Sequence, residues 1–78
     1  MTQSEFYFLL DDLLEFPRGT IRGDEQLAAV PKWDSLAVIG FIALLDQHFG
    51  LAVPATKINA CTSVSDLRNL VGSKITSQ

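Results

Sequence analysis

The chain has 78 residues, enough for a single domain with one hydrophobic core (residues 1–78) and no second domain. With 47% hydrophobic and 19% charged residues it can bury enough apolar surface to offset chain entropy, which excludes a disordered chain. Its net charge is −3 and its six Lys and Arg residues are scattered, so nucleic acid is not an expected partner.

Neither a targeting segment nor a membrane helix is expected from the sequence. The N-terminus lacks a basic region followed by an apolar run and a small-residue cleavage site, which argues against a signal peptide. The longest uncharged apolar run, Leu36 to Leu45, is about half of the roughly 20 residues that a membrane helix needs. We therefore expect a cytoplasmic protein without a membrane span.

The first predicted helix runs from about Ser4 to Phe16, with Ser4 or Thr2 as its N-cap. Its apolar residues follow the spacing of an amphipathic helix: Phe6, Leu9, Leu10, Leu13 and Leu14. On the other side lie Asp11, Asp12 and Glu15, which we expect to form a solvated face. Pro17 and Gly19 end the helix because neither continues one cheaply.

A long loop is predicted from Pro17 to Trp33, because prolines and glycines interrupt this segment every few residues. A loop of this length needs anchors in the core, and we expect Ile21, Leu27 and Val30 to provide them. The stretch from Asp24 to Leu27 is predicted to form one helical turn capped by Asp24.

The second predicted helix spans Ser35 to Phe49, with Asp34 as its N-cap and Gly50 as a left-handed stop. At 100° per residue, one side of it forms a central buried stripe of Val38, Phe41, Ile42, Leu45 and Phe49. The opposite face contains Leu36, Ile39, Gly40, Ala43, Asp46 and Gln47. This second face is apolar near Ser35, which suggests a docking surface; the alternative is a central helix covered all round by its neighbours.

Two further helices are predicted in the last third of the chain. A helix of one or two turns lies between Ala55 and Cys61, with Ile58 as its core contact. Ser63 and Asp66 form a capping box ahead of a final helix that frays beyond Gly72 and buries Val64, Leu67, Leu70, Val71 and Ile75. Nothing strand-like competes, so we predict an all-α bundle of three main helices and one short helix.

A catalytic nucleophile at Ser35 would need a base within hydrogen-bond reach, usually a histidine, and a triad is excluded if the second helix is continuous. His48 is thirteen positions along the same predicted helix, which places it about 20 Å from Ser35. His48 is expected to be a surface residue at the helix end. Cys61 has no cysteine partner, so an internal disulfide is excluded, and a small buried or half-buried thiol is expected there. No metal-ligand set is recognisable.

Ser35 can instead accept a modification. A phosphodiester at this position would lie at the N-terminus of the second helix, where free N–H groups and the helix dipole favour an anion. Asp34 would repel an adjacent phosphate, but Mg²⁺ brought by a transferring enzyme would relieve that repulsion.

Several motifs in this order resemble the acyl carrier proteins. They are Leu27 and Val30, Asp34-Ser35-Leu36, Phe49-Gly50, Val53-Pro54, and Thr62-Ser63-Val64 ahead of Leu67. The resemblance covers about Leu27 to Val71, and the acidic leucine-rich first helix and long loop extend it. It implies a right-handed helical bundle with a 4′-phosphopantetheine arm, derived from coenzyme A, on Ser35, supported by Asp34 and Leu36. The arm's thiol would carry intermediates as thioesters, and the protein would catalyse nothing itself.

The resemblance also implies partners and a sheltered acyl chain. Expected partners are a phosphopantetheinyl transferase and the activating enzymes, synthases and transferases that handle acyl groups, acting on a monomer. The candidate acyl pocket consists of Val38, Phe41, Ile42 and Ile58. The candidate partner face consists of Trp33, Leu36, Ile39, Gly40, Ala43, Asp46 and Gln47.

The sequence departs from typical fatty-acid carriers around the serine. Lys32 and Trp33 replace a glycine and a small apolar residue, and Trp33 is either an interface anchor or a ring that closes the core. Of the positions that are usually acidic on the second helix (Ala37, Gly40, Asp46 and Gln47 here), only Asp46 keeps its charge. We therefore expect a discrete acyl carrier of a secondary-metabolite, modified-lipid or polysaccharide pathway. An aminoacyl or peptidyl carrier and an unmodified helical interaction module are the alternatives.

Overall fold

The computed structural model describes residues 1–75, which form four α-helices and two short 3₁₀ turns. The helices are α1 (Gln3–Leu13), α2 (Ser35–Phe49), α3 (Ala55–Asn59) and α4 (Val64–Val71), and the turns are Leu27–Ala29 and Gly72–Lys74. Extended pairing within residues 1–75 is limited to one isolated bridge between Gln26 and Ser63. The predicted all-α class, with three longer helices and one short one, is confirmed.

Thr2, one of the two predicted caps, begins α1. Its hydroxyl oxygen accepts a hydrogen bond from the Glu5 N–H (3.1 Å), and the Glu5 carboxylate accepts one from the Thr2 N–H (2.9 Å). The helix ends at Leu13, earlier than the predicted Phe16, because Glu15 adopts a left-handed conformation (φ 60°). The N–H groups of Glu15 and Phe16 then bond back to α1 carbonyls, as at many helix ends.

The prediction that Asp11 belongs to a solvated face was wrong, because its side chain is completely buried. One carboxylate oxygen accepts a hydrogen bond from the Gly19 N–H (2.9 Å) and the other accepts one from the Ile21 N–H (2.9 Å). The loop after α1 folds back over the helix, and the Asp11 carboxylate supplies hydrogen-bond acceptors for these two N–H groups of the loop. Asp12 and Glu15 are exposed, as predicted.

The long loop is held in the core by Ile21, Leu27 and Val30, as predicted. The helical turn lies at Leu27–Ala29 rather than at Asp24, and Gln26 precedes it without a side-chain cap. The prediction of Asp24 as a cap was therefore wrong. The local acceptor is Glu25, whose carboxylate oxygens accept hydrogen bonds from the N–H groups of Arg22 (2.7 Å) and Gly23 (2.9 Å).

The second half of the loop is fastened to the start of α4. The Leu27 N–H donates to the Thr62 carbonyl (2.9 Å), and the Val64 N–H donates to the Glu25 carbonyl (3.0 Å). These two bonds flank the Gln26–Ser63 bridge. These bonds hold the part of the loop that leads to α2 against the start of α4, although the loop itself contains only one short 3₁₀ turn.

Helix α2 has the predicted bounds, Ser35–Phe49. Of its predicted buried stripe, Val38, Phe41 and Leu45 are buried, whereas Ile42 and Phe49 are half-buried. Ala37 and Leu44 are buried in addition, because neighbouring elements cover α2 over a wider arc than one stripe. The helix ends at Gly50 in the left-handed conformation (φ 64°), as predicted.

The C-terminal helices follow the prediction closely. Ile58 of α3 is completely buried. The capping box of α4 is present, with Ser63 and Asp66 each bonding the other's N–H group. Helix α4 ends at Val71, and Gly72–Lys74 form a 3₁₀ turn in place of the predicted fraying. No helix within the described range is both long and apolar enough to cross a membrane.

Candidate modification site at the start of α2

Asp34 starts α2 and thereby positions Ser35. Its backbone is extended, and its Oδ1 accepts a hydrogen bond from the Ala37 N–H (2.9 Å). Its carbonyl accepts the first helical bond, from the Val38 N–H (3.0 Å). Both bonds are those of an N-cap aspartate, as predicted, and they fix the direction in which the next residue leaves the helix.

Ser35 is the first residue of α2 and is exposed. Its hydroxyl forms no hydrogen bond with any group in residues 1–75, so it is free to react with an outside reagent. The N–H groups of Ser35 and Leu36 belong to the first turn of α2 and have no partner within the helix. Asp34 caps only the Ala37 N–H, so these two groups stay available at the positive end of the helix. An exposed hydroxyl beside free N–H donors suits a covalently attached phosphate.

Catalytic partners are not assembled around Ser35. His48 lies in the last turn of α2 and is exposed, at the far end of an unbroken helix. Across residues 1–75, the His, Cys, Asp and Glu side chains form no group of three or more that could hold a metal ion. The arrangement therefore offers an exposed hydroxyl that lies far from the histidine on the same helix.

Five residues of the predicted second face of α2 form an exposed ridge: Leu36, Ile39, Ala43, Asp46 and Gln47. Leu36 is 75% exposed and Ile39 is 63% exposed, which is unusual for large apolar side chains. Gly40 is an exception, because it is half-buried against α1. A Cβ atom at Gly40 would lie 2.6 Å from Leu13 Cδ1, so this glycine lets the two helices approach closely.

Trp33 is half-buried beside the serine. Its ring meets Phe41 edge-on, with centroids 5.9 Å apart and an interplanar angle of 70°. Of the two roles considered for Trp33, closing the core accounts for this contact. Lys32 forms an ion pair with Glu15 across the gap between the loop and the end of α1 (3.3 Å).

The four candidate acyl-pocket residues do not line a common cavity. Phe41 and Ile58 are completely buried in the packed core, and Val38 is nearly so. Only Ile42 reaches an open apolar groove between α2 and the segment that leads to α3. Helical periodicity identifies buried side chains, but it does not tell a filled core from a cavity, because proteins pack their interiors densely.

The groove also contains residues that the sequence interpretation missed. Ile42 and the partner-face residues Ile39 and Ala43 were among the predicted candidates, and the missed wall residues are Leu51, Ala52, Val53 and Pro54. The signal that could have identified them is the short apolar segment after Gly50, which precedes α3. Asp46 is the only charged residue at the groove.

Cys61 is a half-buried free thiol, as predicted. Its Sγ lies 3.4 Å from the Lys57 carbonyl, to which the S–H can donate a weak hydrogen bond. Burial, and to a lesser extent the negative charge of Asp66, raises the pKa of the Cys61 thiol. Little thiolate forms at neutral pH, so Cys61 is a poor nucleophile.

The structure thus presents an exposed serine at the start of a capped helix on a small helical bundle. A family model described as "Phosphopantetheine attachment site" matches residues 9–71. The chain therefore belongs to this family, whose members are non-catalytic carriers with a covalent 4′-phosphopantetheine group. Such carriers interact with phosphopantetheinyl transferases and acyl-handling enzymes. Searches of curated proteins and of solved structures gave no match.

Proposed function

We propose that Ser35 is the attachment point of the 4′-phosphopantetheine arm and that the chain is an acyl carrier. The observation that carries this proposal is the exposed, unbonded Ser35 hydroxyl at the start of α2. Asp34 supports it by holding the cap through one oxygen, Oδ1, which leaves its second oxygen free for a metal ion brought by the transferase. Leu36 supplies an apolar contact beside the serine for the same enzyme.

The attachment is a displacement at phosphorus. The Ser35 oxygen forms a bond to a phosphorus atom of coenzyme A, the pyrophosphate bond breaks, adenosine 3′,5′-bisphosphate leaves, and the serine proton is released. Within the family the arm supplies a terminal thiol that holds the cargo as a thioester. The chain's own residues keep the fixed end of this arm on the rim of α2 and take no part in later chemistry.

We further propose that the cargo is acyl and that the pathway is a specialised one in the cytoplasm, such as secondary-metabolite, modified-lipid or polysaccharide synthesis. The exposed ridge of α2 has two large apolar side chains, Leu36 and Ile39, and one carboxylate, Asp46. Charges at an interface mainly steer partners and select among them. A ridge with so few charges suits partners that recognise apolar shape, and a groove continuous with Ile39 extends that surface.

Intact mass tests the attachment site. Incubation of the unmodified protein with coenzyme A and a phosphopantetheinyl transferase is expected to add one phosphopantetheine. Ser35→Ala should abolish the gain, whereas Ser4→Ala, which removes another exposed serine, should keep it. Absence of a gain with several transferases would overturn the proposal and favour the unmodified interaction module.

Loading assays separate the acyl carrier from an aminoacyl or peptidyl carrier. The modified protein would be offered to acyl-activating enzymes and, separately, to adenylating enzymes for amino acids, and the thioester would be detected by mass. Loading with fatty or other acyl groups supports the proposal. Loading with amino acids alone would replace it with the second class of carrier.

A further inference from the structure

A second cleft lies on the α1 side of Ser35, between the end of α1 and the start of α2. Its walls include Leu13, Glu15, Lys32, Asp34 and Leu36, and it encloses about 370 Å³. That volume is near the lower end of the range for small-molecule sites. Because both sequence neighbours of Ser35 belong to the walls, anything attached to Ser35 starts at the rim of this cleft.

The walls of the cleft combine one cation with apolar surface. The Lys32 ammonium has three N–H donors, and Glu15 engages it through one oxygen at 3.3 Å. The cleft also holds two carboxylates: Asp34 caps the Ala37 N–H through one oxygen, and Glu15 is paired with Lys32. Leu13 and Leu36 supply the apolar surface. The 4′-phosphopantetheine arm has an anionic phosphodiester, a carbon with two methyl groups, and amides, and these groups match such a lining.

The groove on the other side of α2 is a poorer match for the start of such an arm. It begins at Ile39, one helical turn beyond Ser35, and its only charged residue is Asp46. No cation among the groove's lining residues offsets Asp46, and the apolar walls offer few polar partners to amides. Proximity favours the α1-side cleft, and of the two sites only this cleft offers a cation, Lys32.

We infer that Lys32, Leu13 and Leu36 hold the pantetheine arm in the α1-side cleft, with Lys32 as the positioning residue for the phosphodiester. This inference rests on the proposed attachment at Ser35. The groove beyond Ile39 then stays open to cargo or partner enzymes while the arm is at rest. Leu36 then lies between the resting site of the arm and the rest of the apolar ridge.

The test compares the full-length protein before and after modification. Intact mass first shows whether Ser35 carries the arm. Isotope-filtered nuclear Overhauser spectra then detect contacts between the dimethyl protons of the arm and protein methyl groups. Contacts with the Leu13 methyls are expected, because Leu13 lines the cleft. Leu13 is a useful reporter, since it is distant in sequence from Ser35 and would not contact the arm merely as a neighbouring residue.

Two variants test the role of Lys32. Attachment of the arm is also expected to change the chemical shifts of the Leu13 methyl groups. Lys32→Ala should at least halve this chemical-shift change, whereas Lys57→Ala, which removes an exposed lysine on α3, should leave it unchanged. Lys32 forms only an exposed ion pair, so its removal should leave the fold intact. A Leu13 shift unchanged by Lys32→Ala would overturn the role of Lys32.

The remaining outcomes distinguish the two proposals. A mass gain with contacts to the methyls of Leu51 or Val53, or with no contact to Leu13, would overturn the resting site and leave the proposed function standing. No mass gain would overturn the proposed function and this inference with it.

Discussion

The carboxylate of Asp11 ties the end of α1 to the loop that follows it. It is completely buried and accepts hydrogen bonds from two backbone N–H groups, those of Gly19 and Ile21. Hydrogen bonds to a charged group contribute more than neutral ones, and the two donors would be left unpaired without it. Asp11 therefore supports the loop that leads the chain to Ser35.

Replacing Asp11 by alanine is expected to lower the free energy of unfolding by about 3 kcal/mol, because two N–H groups lose their acceptor. Urea denaturation followed by the fluorescence of Trp33, the only tryptophan, measures the change. Asp12→Ala is the matched control, since Asp12 is the exposed neighbour, and it should change stability by less than about 0.5 kcal/mol. Equal effects of the two substitutions would contradict the role assigned to Asp11.

Glu15 holds a left-handed backbone conformation (φ 60°) that favours glycine. Its exposed ion pair with Lys32 contributes little stability. Glu15→Gly and Glu15→Ala both remove the ion pair, but only glycine relieves the backbone strain. We expect the glycine variant to be more stable than the alanine variant by about 1 kcal/mol in thermal or urea unfolding. Equal stability of the two would show that this helix end is not strained.

The loop between α1 and α2 depends on close contact between Gly23 and Tyr7. Gly23 has φ +113°, and a Cβ atom there would overlap the Tyr7 hydroxyl and ring. The Gly23 carbonyl also accepts a hydrogen bond from the Ser65 hydroxyl of α4 (2.6 Å). One glycine therefore brings α1, the loop and α4 together.

Gly23→Ala is expected to lower the free energy of unfolding by about 3 kcal/mol, from backbone strain together with overpacking against Tyr7. Gly19→Ala separates the two causes, because Gly19 also has a positive φ (+91°) but a Cβ atom added there would meet nothing within 4 Å. That control should lose only about 1–2 kcal/mol. A loss at Gly23 no larger than the loss at Gly19 would rule out the steric contribution.

The capping box of α4 makes stability depend on acid. The N–H of Thr62, then its hydroxyl, and then the Ser63 groups hold the pKa of the Asp66 carboxyl below its ordinary value of 3.8. A lowered pKa in the folded state means that the carboxylate stabilises the fold above pH 3.8. This stabilisation is lost as the pH falls through the lower folded-state pKa.

We expect the urea midpoint to fall between about pH 5 and pH 2, and Asp66→Asn to reduce that fall. Asp12→Asn removes the same charge from a carboxylate that accepts no hydrogen bond within residues 1–75, and it should leave more of the acid dependence in place. If both variants kept the full dependence, Asp66 would not be a source of it.

The molecule as a whole buries the core side of α2 and leaves a ridge of apolar side chains beside Ser35. Ile39 is 63% exposed and forms one wall of the groove, so it contributes little to the core. A large apolar side chain in this position can anchor a partner enzyme without stabilising the fold.

Ile39→Ala is expected to lower kcat/KM for phosphopantetheine transfer to Ser35 by about tenfold while changing the free energy of unfolding by less than about 0.5 kcal/mol. Asn69→Ala, an exposed residue on α4, is the control and should change neither quantity. Unchanged kcat/KM in the Ile39 variant would remove this residue from the proposed enzyme-facing surface.

Local signals predicted the helices correctly and placed Ser35 at the start of α2, where the structure has it. The caps Asp34 and Ser63 bond N–H groups three residues further along the chain, and Gly50 ends α2 with its own backbone conformation. Such interactions lie within one helical turn, so the order of residues along the chain is enough to reveal them. The same holds for the exposed ridge, which follows from helical periodicity.

Features that depend on distant segments were not predictable in this way. Asp11 has the spacing of a solvent-facing residue and is buried because the loop folds over it. Gly40 belongs to the same predicted face of α2 as the ridge, but Leu13 of α1 packs against it. The groove, in turn, exists because the segment after Gly50 packs beside α2 without filling the space. A residue's own sequence neighbours carry no information on which remote segment will cover it, since that follows from how the helices pack together.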